Sequence, residues 1–278
     1  MGVLHPMPVV LPANDLLFPN VPLSVRNMQP GIRNTEPVGV LIDRIVFAIN
    51  GGNAPATSLI TELRWGNEPL TNGFVSVSAV GWPQNRLYEF NDPSSVVVKL
   101  DRPFYLPPGD YIDVAIRNDF FPSNAATSIS VMAIGRQAPE PAERWIPYLT
   151  AYRGPLYQAG QAIADQSNPN DLGNPFNVPL SIERMIGRVL ISNGTVFSDY
   201  DPDQQWMSFG VKLSDHRDNF WVAQATPFPL VFNTVDRSWL LNHEMEAKGF
   251  LRLEFEALGA ITQAALAVVG LVGYRRIS

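Results

Sequence analysis

Hydrophobic and polar positions alternate along most of the chain, in short runs cut by turn residues. The clearest run is near the C-terminus, where Leu251, Leu253 and Phe255 alternate strictly with Arg252, Glu254 and Glu256. Successive strand side chains point to opposite faces, so this pattern predicts a half-buried strand. Ile112, Val114 and Ile116 oppose Asp113 and Arg117 in the same way and predict another. A β-branched run over 38–49, closed by Asn50-Gly51-Gly52-Asn53, predicts a long central strand. Shorter strands are predicted over 60–65, 73–80, 96–100, 128–134, 186–191, 206–213, 221–225 and 230–232, and an apolar one over 264–272. Strands at about 8 to 12-residue spacing, with no helical period between them, make the chain all-β, built of antiparallel sandwiches or barrels.

One stretch occurs twice. Asn20-Val21-Pro22-Leu23-Ser24-Val25-Arg26-Asn27-Met28 returns 157 positions later as Asn177-Val178-Pro179-Leu180-Ser181-Ile182-Glu183-Arg184-Met185, with six of nine positions identical. That period is far above the roughly 20 to 50 residues of solenoid repeats and points to a duplicated domain. Pro22 and Pro179 lack an amide donor and suit the approach to a strand. The expected layout is an extended N-terminal arm over 1–17, a first β-sandwich over 18–136, a linker over 137–174 and a second β-sandwich over 175–278. The linker starts stiffly at Ala138-Pro139-Glu140-Pro141, and 157–165 has room for a short helix.

Composition narrows the partners. Hydrophobic residues at 46% suffice for a sizeable core, while 25 Pro and 20 Gly leave little room for long helices. The net charge is −6, and lysine occurs only at Lys99, Lys212 and Lys248, so there is no direct signal for nucleic acid. The apolar stretch 257–273 contains Thr262 and Gln263 and reads as a buried strand, so no membrane span is expected. Pro6, Pro8 and Pro12 interrupt the N-terminus, which does not read as a secretory signal. There are no cysteines, hence no disulfide, thiolate metal site or Cys nucleophile.

No catalytic constellation emerges, and the chain is not expected to be an enzyme. His5, His216 and His243 are scattered, and Ala247 stands where a His-Glu-x-x-His zinc motif beginning at His243 needs its second ligand. The metal candidate is Asp199, Asp201 and Asp203, alternate carboxylates able to converge on Ca²⁺, and no other cofactor is expected. Gln204 and Gly210 depart from the calcium-loop pattern. Among six tryptophans, Trp82 lies in a turn, Gly81-Trp82-Pro83-Gln84-Asn85, and is the candidate for stacking on a sugar ring.

Taken together, the two Val-Pro-Leu-Ser segments at 21–24 and 178–181, and the final strands ending at Ile134-Gly135-Arg136 and Val272-Gly273-Tyr274-Arg275, belong to a cysteine-free, lysine-poor chain with duplicated β-halves. This layout resembles viral and bacteriophage coat proteins, in particular the double jelly-roll capsid proteins. The resemblance implies two jelly rolls side by side in one chain and trimers forming pseudo-hexagonal capsomers. It also implies a structural virion protein, assembled in the host cytoplasm, whose partners are itself and other virion proteins. The alternative from the residues is a carbohydrate- or cell-surface-binding β-sandwich module using Trp82.

Overall fold

The structure, a computed structural model, describes residues 4–11, 29–50, 59–83, 95–118, 128–192, 197–198, 205–233 and 237–277. The chain forms two compact units, 1–149 with 274–278 and 150–273. It leaves the first unit within one strand, Arg144–Tyr157, and returns to it within another, Ala264–Ile277.

The first unit contains β1 (Leu4–Leu11), β2 (Gln29–Arg33), β3 (Val40–Asn50), β4 (Leu59–Trp65), β5 (Glu68–Pro69), β6 (Val75–Ser76), a one-turn helix α1 (Val77–Val80), β7 (Trp82–Pro83), β8 (Ser95–Leu106), β9 (Tyr111–Asn118) and β10 (Ser128–Gln137). One sheet has the order β1-β10-β3-β8-β7 and the other β2-β9-β4-β5, with β6 also on β4. The ladders among the described strands of this unit are antiparallel. Ile32, Ile42, Phe47, Leu63, Val98, Phe104, Ile112, Val114 and Val131 are buried in this unit.

In the second half follow β11 (Arg144–Tyr157), β12 (Ala164–Gln166), β13 (Leu180–Ser192), β14 (Phe197–Ser198), α2 (Gln205–Ser208), β15 (Phe209–Asp215), β16 (Phe220–Pro227), α3 (Phe228–Val231), β17 (Ser238–Met245), β18 (Leu251–Ala257) and β19 (Ala264–Ile277). One sheet runs β11-β19-β13-β14 with β17 on β13, and the other β12-β18-β15-β16. An aromatic cluster fills this unit: Phe228 stacks on Phe255 at 5.8 Å and meets Phe209 edge-on at 6.2 Å, and Tyr157 meets Phe209 at 5.5 Å.

Strand for strand the orders agree. β1-β10-β3-β8 corresponds to β11-β19-β13-β17, and β2-β9-β4-β5 to β12-β18-β15-β16. Each is the two-sheet, eight-strand weave of a jelly roll. The chain is therefore all-β, a tandem of jelly rolls.

The halves also match in detail, at a spacing the nine-residue repeat does not indicate. Asn34 and Asn174 are both buried, and both occupy the turn leading into β3 or β13. Asn34 Nδ2 donates to the carbonyls of Val38, Leu106 and Pro107, each at 3.0 Å, while its Oδ1 accepts from the Glu36 amide. Asn174 Nδ2 donates to the carbonyls of Val178, Met245 and Glu246, and its Oδ1 accepts from the Phe176 amide. The sequences then align residue by residue 140 positions apart, Ile42-Asp43-Arg44-Ile45-Val46 against Ile182-Glu183-Arg184-Met185-Ile186. The pairing of β3 with β8 shifts between Ile42 and Arg44, and that of β13 with β17 between Ile182 and Arg184. The copy at 20–28 lies outside the described residues, whereas the one at 177–185 leads into β13, which starts directly after Pro179.

Several local expectations change. The strand predicted over 73–80 gives way after Ser76 to α1, the one over 206–213 begins as α2, and the one over 230–232 is replaced by α3. In α3, Pro229 is the cause: without an amide it cannot serve a ladder, yet it fits a helix's first turn. Short apolar runs such as 75–80, buried throughout, fit either structure by pattern alone. The segment 137–174 carries β11 and β12, and 157–165 holds a turn, closed by the Gln161 amide on the Gln158 carbonyl, where a helix had room. Within the 1–17 arm, Leu4–Leu11 is a strand on β10.

Candidate functional site

Sheets can join other chains through strand edges or through side chains. The outermost strands bear on the first route. β1 carries Pro6 and Pro8, β2 Pro30, β5 Pro69, β7 Pro83, and β11 Pro147 and Pro155. A proline cannot donate to an incoming strand, which blunts an edge against pairing. β12 is only three residues long. β16 has two register shifts against β15, and β17 has one against β13 beside Asn242, at φ +46°. Bulges of this kind twist an edge away from partners. Of the two routes, that leaves side-chain surfaces.

Those surfaces are unevenly distributed. Of the nine exposed large hydrophobics among the described side chains, only Val38 and Tyr111 lie in the first unit. The second has Leu156, Val178, Met207, Phe220, Leu230, Leu240 and Leu258. Leu230 is 74% exposed and Leu240 58%, and both line an open cavity of about 450 Å³ with Pro229, Val231, Phe232 and Trp239. Arg184 reaches the same cavity and donates from Nη1 to Ser238 Oγ at 3.2 Å. Gly187 makes room beneath it, since a Cβ there would lie 2.3 Å from the Phe232 ring. Along the same side, Trp221 of β16 meets His243 of β17 edge-on at 4.8 Å, next to Phe220, which is 53% exposed.

The corresponding connection of the first unit is different. All four residues of α1 are buried, whereas α3 buries only Phe228 and exposes Leu230. The first unit has its own cavity, about 530 Å³, lined by Val38, Gly39, Tyr105, Pro108 and Pro139. Gly39 lets the Tyr105 ring lie against the backbone there, since a Cβ would come within 2.2 Å of that ring and force it to move.

The residues singled out from sequence fare differently. Asp199, Asp201 and Asp203 lie outside the described residues. Among the described residues no three His, Asp or Glu side chains form a group able to hold a metal. Trp82 is half-buried in β7 at a sheet edge, with the Lys99 ammonium 5.7 Å from the ring centroid. Three other tryptophans pack: Trp65 donates to Asp110 Oδ2 at 2.7 Å, the Arg102 guanidinium lies 3.9 Å from the Trp145 ring, and Arg237 covers the buried Trp206 at 3.3 Å. No helix among the described residues is long and apolar enough to cross a membrane. His216 Nε2 lies 3.7 Å from Glu246, and the carboxylate also accepts from Arg217, tying the β15–β16 turn to the β17–β18 turn.

Burial perturbs several ionisable groups. It pushes Asp165 and Asp171 above the ordinary carboxylate value, each partly offset by a backbone hydrogen bond, and Asp165 adds to the rise at Asp171. It lowers His243, against the pull of Asp215, Glu244 and Glu246. Burial would also raise Asp215, but hydrogen bonds from Asn219 and Arg217 and the His216 charge reverse this and hold it low.

No protein-family model matches the chain, and no curated protein matches it. Among solved structures it is similar to the major capsid protein P2 from bacteriophage PM2, at 12% identity and a TM-score of 0.48 over 99% of this chain and 98% of that one. The STIV MCP follows at 9% identity and 0.48, over 97% and 96%. PBCV-1 VP54, as fitted into a reconstruction of the virophage Sputnik, matches at 11% and 0.45, over 100% and 95%.

Proposed function

We propose that the protein is a structural virion protein that works by self-assembly, its tandem jelly rolls serving as rigid building blocks. The observation that carries this reading is the repetition of one eight-strand weave twice in a single chain, with every outer strand among the described residues short, bulged or carrying proline. Blunted edges suit a protein that must meet copies of itself at high concentration without uncontrolled strand pairing. The shared Asn34 and Asn174 turns and the 140-residue alignment support an origin of the two halves by duplication. On this reading the chain acts without catalysis, its partners are its own copies and other virion proteins, and its place is the virion, assembled in the host cytoplasm.

Sedimentation and electron microscopy of the purified chain test it. Closed capsomers or shells are expected. A chain that stays monomeric at every concentration, and is absent from purified particles, overturns the reading.

A further inference from the structure

We infer that Trp221 and His243 form a proton-controlled latch that fastens β16, the edge strand of one sheet of the second unit, to β17 of the other sheet. The inference is independent of the self-assembly reading.

Both rings are aimed by bulges. On β16, Val222 pairs with Leu213 and Phe220 with the next residue of β15, Ser214, so Trp221 is an extra residue in that ladder. On β17, His243 pairs with Ile182 and Leu240 with Arg184, so Leu241 and Asn242 stand opposite Glu183 alone, and Asn242 takes φ +46°. A bulge bends its strand and redirects a side chain. Here the two bulges accompany an edge-on meeting of Trp221 and His243 at 4.8 Å, reaching from one sheet to the other.

The ladder of β16 is interrupted a second time, where Ala223, Gln224 and Ala225 stand opposite Lys212 alone. No residue of Phe220–Pro227 is fully buried, and none is charged. Local opening is easiest in a strand with an interrupted ladder and little buried surface. A ring contact to the opposite sheet therefore carries weight in holding β16.

His243 makes that contact depend on pH, because histidine changes charge between about pH 5 and 8. Burial of the half-covered ring opposes the charged form and holds its pKa below the ordinary 6.5. Asp215 at the end of β15, Glu244 next to it on β17 and Glu246 at the following turn pull the other way, and His216 of the β15–β16 turn adds repulsion once charged. Its partner across the ladder on β13 is the apolar Ile182, and β16 supplies no charge. Opening of β16 uncovers the ring and returns it toward its ordinary proton affinity, so acid favours the open form. The effect begins near pH 6.5 and saturates below the depressed value.

Hydrogen exchange of the full-length chain tests the latch, read by mass spectrometry at pH 7.5 and 5.5 and corrected for the intrinsic pH dependence of exchange. The open population of β16 is expected to rise in acid by up to about tenfold, the ceiling for a group of ordinary value 6.5 read one unit lower. Protection of β18 in the same unit and of β9 in the first is expected to hold. His243→Phe keeps an aromatic neighbour for Trp221 without a titrating group, and β16 should then exchange alike at both pH values. His243→Gln serves the same comparison if circular dichroism shows the phenylalanine variant unfolded. Trp221→Ala should leave β16 open already at pH 7.5. The latch is overturned if β16 protection in the wild-type chain holds or rises in acid, or if it falls equally in the histidine variants. Loss of protection in β18 to the same extent, or wild-type protection of β16 in Trp221→Ala, overturns it as well.

Discussion

Asn34 and Asn174, 140 residues apart, make the same set of hydrogen bonds, each clasping the turn before β3 or β13 to the turn after β8 or β17. Each pair of turns also shares a backbone bond, from the Asn34 amide to the Asp110 carbonyl at 2.9 Å and from the Asn174 amide to the Gly249 carbonyl at 2.8 Å. Removing either side chain leaves a buried carbonyl, Leu106 or Met245, without that donor. Asn34→Ala and Asn174→Ala are each expected to cost about 2–3 kcal/mol in urea unfolding. Aspartate at either position is expected to cost more, because it offers acceptors to acceptors.

The turns after β8 and β17 differ in one respect that can be tested. Gly109 has φ +75°, and Lys248, at the corresponding place, has φ +61°. An L-residue pays about 1–2 kcal/mol in that conformation. Lys248→Gly is expected to raise the melting temperature, and Gly109→Ala to lower it by the equivalent of about 1 kcal/mol.

Packing over Gly187 is tight. Gly187→Ala drives a methyl into the Phe232 ring and is expected to cost about 1–3 kcal/mol. Phe232→Leu in the same chain should recover part of that loss, a non-additivity that a double-mutant cycle measures directly.

Acid should affect the second unit in two opposing ways. His243 is held by burial below its ordinary value of 6.5, so the unfolded chain takes up the proton first, and its contribution is present above 6.5 and lost as pH falls toward the depressed value. Asp165 and Asp171, raised by burial, bind protons more readily when folded, so they add stability as pH falls through their raised values toward 3.8. Unfolding measured from pH 7.5 downward should show a loss below 6.5 that His243→Gln flattens. Asp165→Asn, which removes a half-buried charge, should stabilise the neutral chain and weaken the recovery at lower pH.

Much of the β-architecture is legible from the chain itself. Strict alternation at Leu251–Glu256 and at Tyr111–Arg117 fixes which face is buried, and both became the central strands β18 and β9. Local pattern is weaker where an apolar run is short, and at each of the three one-turn helices it predicts a strand or part of one. The 140-residue correspondence was also present, as Asn-x-x-x-Val followed by Ile-Asp/Glu-Arg, but it is carried by conservative exchanges. Identical residues are denser in the 157-residue match, whose first copy lies outside the described residues.

The sequence alone therefore determined the all-β class, the tandem of sandwiches and the absence of a recognisable catalytic motif, because alternation and turn residues act within a few positions of one another. Only tertiary structure decided the strand order, the asparagine clasps and the exposure of Leu230 and Leu240. These depend on which distant segments come together: Asn174 meets Met245 across 71 residues, and a leucine becomes a surface only when the rest of its unit leaves it uncovered.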